Sequence, residues 1–190
     1  METFPIYRAV IQTSEDGINI LSMVKDPAIM EKYVKLSKEQ EAEVKLAVID
    51  ESQGIVFGPA LVPNLVIPRV AKDGTRFGLM FDSSTIQDCL VKMSAENKTN
   101  NVDVQHSEKL ISGITVFEKF ITDENRASSV KNFEHLPMGT MFFTGKISDP
   151  VLLAEVKAGN INGWSIDGMF TFDKQTELSM EEILSVIKNI

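Results

Sequence analysis

Short runs of apolar and β-branched residues, each closed off by turn chemistry, recur along most of this chain and restrict it to a strand-rich fold. Residues 5–12 and 18–24 read as two strands joined by Ser14-Glu15-Asp16-Gly17, residue types that favour a tight turn. Residues 44–50 and 54–62 repeat the pattern around Glu51-Ser52-Gln53-Gly54. Pro59, Pro63 and Pro68 fall in the stretch that follows. Proline has no N–H to give to a ladder, so this stretch is expected at a sheet edge, in a bulge or in a loop. Further strands are predicted at 76–81, 110–122, 139–147 and 161–172. Helix signals interrupt them. Asp26-Pro27 should start a short helix to about Tyr33, Ser83 or Ser84 should cap one that runs to about 95, and Asp149-Pro150 should open one to about 158. Ser179 with Glu182 three residues on is a capping-box pattern for a helix over about 179–189. The expected fold class is α+β: a mainly antiparallel sheet or small barrel with helices packed outside it. No repeat or linker divides residues 1–190, so a single domain is expected.

Composition removes several functional classes. The chain of 190 residues is 43% hydrophobic, enough for a core, and carries a formal net charge of -8 with no basic cluster. That charge disfavours nucleic acid as a partner. No apolar run approaches the ~20 residues that span a bilayer, and Met1-Glu2-Thr3-Phe4-Pro5 lacks the basic and apolar regions of a signal peptide. A soluble protein of the cytoplasm, without a membrane partner, is the expectation. The lone Cys89 excludes an internal disulfide and reads as a buried small hydrophobe in a helix-like stretch. Two histidines and one cysteine argue against a Cys/His zinc site. Neither a metal nor a cofactor is expected.

Two local features could carry chemistry. His106, in Val102-Asp103-Val104-Gln105-His106-Ser107, lies between a polar loop and a strand, where an imidazole could serve as general base near neutral pH or simply end a strand at the surface. Ser165, in Asn162-Gly163-Trp164-Ser165-Ile166-Asp167-Gly168, has glycines two residues before and three after it. Such positions let other groups approach the backbone closely, as a nucleophile requires, although glycines at a bulge beside an ordinary serine leave the same trace. The pattern is not the G-x-S-x-G elbow, because Gly168 comes one position late.

Several segments, in order, resemble the XkdF-like serine proteases of phage head-gene clusters. These are Leu21-Ser22-Met23-Val24-Lys25-Asp26-Pro27-Ala28-Ile29, then Gly54-Ile55-Val56-Phe57-Gly58-Pro59-Ala60-Leu61-Val62-Pro63 with Ile67-Pro68-Arg69, then Val104-Gln105-His106, then Gly163-Trp164-Ser165-Ile166-Asp167-Gly168. That family is akin to the broader prohead proteases and, in fold, to herpesvirus assemblin. The resemblance covers about 5–172. It implies a barrel ringed by helices and a serine endopeptidase that cleaves scaffold and capsid proteins, and itself, inside the assembling prohead in the host cytoplasm. It implies Ser165 as nucleophile and His106 as base. The implied partners are the scaffold protein, the major capsid protein and the portal; a homo-oligomer is compatible with them. Assemblins place a second histidine after the serine, and no histidine follows Ser165 here; His135 precedes it. Glu118, on the strand after the His106 loop, is the favoured third member, with Asp167 a weaker candidate that shares the serine's face in a regular strand. An alternative is a structural head protein of the same fold without catalysis.

Overall fold

The computed structural model describes residues 3–27, 47–50, 53–130, 132–179, Glu182 and Ser185. The described strands are β1 (Thr3–Val10), β2 (Gly17–Val24), β3 (Ala47–Asp50), β4 (Ile55–Leu61), β5 (Ile67–Val70), β6 (Arg76–Met80), β7 (Val102–Val104), β8 (Ile114–Ile121), β9 (Met141–Ile147), β10 (Gly163–Met169) and β11 (Thr171–Ser179). The α-helices with both ends among the described residues are α1 (Ser83–Ala95) and α2 (Pro150–Lys157), and a 3-10 turn lies at Ala127–Ser129. The class is α+β, as expected.

The strands form three sheets, ordered β11-β1-β6-β5, β10-β2-β7 and β3-β4-β9-β8, and no closed barrel forms among the described residues. Pairing is mainly antiparallel; β1 with β6 and β2 with β7 are parallel. The proline-rich stretch ends in β5, an edge strand of its sheet, as proline's missing donor requires.

Asp82, and not Ser83 or Ser84, caps α1: its carboxylate accepts from Thr85 N at 2.7 Å and from the Ser84 hydroxyl at 2.8 Å. Asp149 caps α2 through Val151 N at 2.7 Å and Leu152 N at 3.1 Å, with Pro150 in the first turn. The capping box is present. Glu182 accepts from Ser179 N at 2.8 Å, and Ser179 Oγ accepts from Glu182 N at 3.3 Å. The rest of that helix, and the helix expected after Asp26-Pro27, lie outside the described residues.

One large core gathers Leu21, Met23, Leu61, Ile86, Met93, Met141, Phe143 and Trp164, all essentially excluded from solvent. α1 lays Ile86, Cys89 and Met93 onto it. Phe57, Phe133 and Phe142 build a second cluster with Phe120, their rings 5.0–6.2 Å apart. Each such ring pair adds about 0.5–1.5 kcal/mol beyond its buried area. The large core matters most for the site, because it fixes β2 and β10 from one side.

Candidate active site: a serine, a histidine and an aspartate on one sheet face

β10 and β2 run antiparallel with Ser165 opposite Ser22, and β2 and β7 run parallel with Ser22 beside Asp103. Residues in register share a face, so Asp103, Ser22 and Ser165 form a row across three strands. Asp167, two residues beyond Ser165, joins that face. Trp164 points the opposite way and is fully buried in the large core against Phe143. This alternation holds the serine strand down from behind while its other face meets a cleft.

The glycines that flank Ser165 have the steric role suggested by the sequence. A Cβ on Gly163 would strike the Pro27 ring, and one on Gly168 would strike the Gly17 carbonyl. The register shifts between Asp167 and Gly168, a bulge that ends the regular ladder just past the aspartate.

His106 arrives from the other side, just past β7. Gln105, His106 and Glu108 all hold left-handed backbone, with φ of 57°, 53° and 58°. Each costs a non-glycine residue about 1–3 kcal/mol, so neighbouring contacts must enforce it. Asp103 Oδ2 accepts from Glu108 N at 2.7 Å, and Met23 O accepts from Gln105 N at 3.0 Å. Ile111 N closes the loop on Val102 O at 2.8 Å. Asp103 is itself fully buried, and its Oδ1 has no hydrogen-bond partner among the described residues.

The tight turn brings His106 Nδ1 to 2.7 Å from Asp167 Oδ2. A carboxylate only accepts, so the proton of this bond sits on Nδ1 and the neutral ring carries its lone pair on Nε2. Ser22 Oγ lies 3.1 Å from the same Nδ1 and donates to Asp167 Oδ2 at 3.2 Å. The imidazole and the carboxylate are 42% and 39% exposed, so their bond orients the ring more than it stabilises the fold. Ser165 is 3% exposed. Ser165, His106 and Asp167 line one open cavity of about 510 Å³.

Glu118, the carboxylate favoured from the sequence, lies elsewhere. β8 joins the sheet of β9, and Glu118 accepts from Thr144 Oγ1 at 2.6 Å. The carboxylate bonded to His106 is Asp167. His135 is exposed in the loop before β9 and does not line the cavity. Sequence reasoning missed Ser22 and Asp103. The available signal was a small polar or acidic residue in otherwise apolar strand sequence, Leu21-Ser22-Met23 and Val102-Asp103-Val104.

Among the described residues no group of His, Cys, Asp and Glu could hold a metal ion, and no helix is long and apolar enough to cross a membrane. The fold and site thus define an α+β protein with a serine, a histidine and an aspartate at one cleft. Comparison of the chain with protein-family models, curated proteins and solved structures found no match.

Proposed function

We propose that this chain is a serine endopeptidase in which Ser165 is the nucleophile, His106 the general base and Asp167 the orienting carboxylate. The observation that carries the reading is the 2.7 Å bond from His106 Nδ1 to Asp167 Oδ2 in the cavity that Ser165 also lines. It supports the reading by leaving Nε2 as the ring nitrogen with the free lone pair. In the first step Ser165 Oγ attacks the scissile carbonyl and Nε2 takes its proton. The imidazolium, held by Asp167, then protonates the leaving amine, and an acyl-enzyme remains. Water, deprotonated by the same nitrogen, releases the acid and restores the serine.

The substrates follow from the sequence resemblance alone: scaffold and capsid proteins of a tailed phage, and the chain itself, cut inside the assembling prohead in the host cytoplasm. The same resemblance supplies the assemblin-like barrel as the parent fold. A second reading, a structural head protein without catalysis, draws on one observation. The serine touching His106 is Ser22, which is fully buried, while Ser165 is 3% exposed.

The deciding experiment co-expresses the chain with the scaffold and major capsid proteins of its phage, wild type beside Ser165→Ala, and reads intact masses. Fragments with wild type alone establish the protease. Uncut proteins in both, from correctly assembled proheads, establish the structural reading.

A further inference from the structure

The cavity beside Ser165 extends well beyond the three polar side chains. Two charged residues, Asp26 and Arg69, also line it, but most of its remaining wall is apolar: Ile67 on β5, Phe77 and Leu79 on β6, Phe81 just after it, and Phe170 and Phe172 around the start of β11. Four of these six residues are phenylalanines. Phe81 and Phe170 meet edge to face at 5.0 Å, which fixes the inner pair of rings. Phe77 and Phe172 stand 6.1 Å apart, and both touch Tyr7, at 5.8 and 6.1 Å. Phe172 nevertheless remains 48% exposed. Strand backbones hold these rings: Phe172 pairs with Ala9 and Phe77 with Arg69. A binding surface of this kind needs little ordering when a ligand arrives.

An exposed phenylalanine on a rigid strand loses apolar contact with water when something covers it, and an aromatic side chain can bury roughly 150–250 Å² in doing so. The 510 Å³ space is within the usual range for a ligand pocket and easily admits one large side chain. Ser165, His106 and Asp167 line the same space. An occupant that covers the rings therefore shares the cavity with the reacting groups, and a peptide can set a side chain against the rings and a carbonyl near the serine.

We infer that this cavity is a specificity pocket for a bulky apolar side chain, aromatic or branched aliphatic, close to the scissile bond of an extended peptide, with Phe77 and Phe172 as its contact residues. This rests on the protease reading and adds the class of substrate residue to it. A small side chain at that position would leave the two rings wet and gain nothing from them.

The test measures binding and reactivity separately. N-acetyl-phenylalanine amide and N-acetyl-alanine amide are titrated into the intact chain, and NMR follows the ring signals of Phe77 and Phe172. Binding of the phenylalanine compound about tenfold or more tighter than the alanine compound, with shifts at those two rings and loss of the preference in Phe172→Ser, supports the pocket. Equal binding, or shifts elsewhere, overturns it. A small alkyl fluorophosphonate is applied in parallel, and the adduct is mapped by peptide mass. An adduct on Ser165 without side-chain preference removes the pocket and keeps the protease; preference without an adduct keeps the pocket and removes the protease.

Discussion

At the residue scale the site turns on one proton. Asp167 keeps it on Nδ1 of His106, so Asp167→Asn, whose amide can present a donor to that nitrogen, should disturb the tautomer that the proposed mechanism needs. A fall in kcat on the order of 10³–10⁴ with little change in KM is expected, measured on a scaffold-derived peptide. His106→Ala should abolish turnover, and Ser165→Ala should do so while changing stability by no more than ~1 kcal/mol in urea titrations. Glu118→Ala, by contrast, should leave kcat unchanged, because the carboxylate is engaged by Thr144. Cys89 takes no part. Burial, aided by the neighbouring Asp88 charge, pushes its thiol up to about 12. Native protein at pH 8 should therefore resist iodoacetamide until denaturant is added, as mass spectrometry would show. His106, Ser165 and the close packing at the flanking glycines were legible from sequence. The choice between Asp167 and Glu118 was not, because it depends on which sheet each strand joins. Sequence proximity to the His106 loop favoured Glu118, whereas pairing of β10 with β2 carries Asp167 to the ring.

At the scale of elements, the two helices have the same kind of N-cap in different settings. The Asp149 carboxylate accepts from its own helix end, whereas that of Asp82 also accepts from Arg8 Nη1 at 3.2 Å and so ties α1 to β1. Asp149→Ala should cost about 1 kcal/mol, and Asp82→Ala should cost more, both read from urea midpoints at constant m. Most strands could be read from apolar runs and turn residues, but two could not. β7 has only three residues, too few for a period to register. β11 is exposed along nearly its whole length, so Thr171–Ser179 shows no buried alternation. Its place is set by pairing with β1 instead, and the strand expected to continue to 172 gives way at Phe170 to this new one.

At the scale of the whole molecule, Asp16 joins distant parts of the chain. Its carboxylate accepts from Gln12 N at 2.9 Å and Thr13 N at 2.8 Å, closing the β1–β2 turn, and from Thr171 Oγ1 at 3.0 Å, at the head of β11. The backbone bonds from Gln12 and Thr13, with the hydroxyl bond from Thr171, hold its pKa below the ordinary 3.8. A pKa lower in the folded than in the unfolded chain adds stability at pH above about 3.8, and that stability disappears as pH falls through the folded value. Asp16→Asn should lower the melting temperature at pH 7 and show a shallower decline than wild type on acidification below pH ~4.

The pairing of β1 with β11 brings Thr3 opposite Ser179, although almost the whole described chain separates them. A ribosome releases β1 long before its antiparallel neighbour exists. During synthesis that flank of the sheet must wait, with its backbone groups bonded to water, and the aromatic rim built by Tyr7, Phe77 and Phe172 has no third ring. Contacts this remote in sequence slow folding, so the cleft should be among the last parts of the molecule to mature. A newly made copy would then begin its working life after a delay set by topology, a form of timing written into the order of the strands.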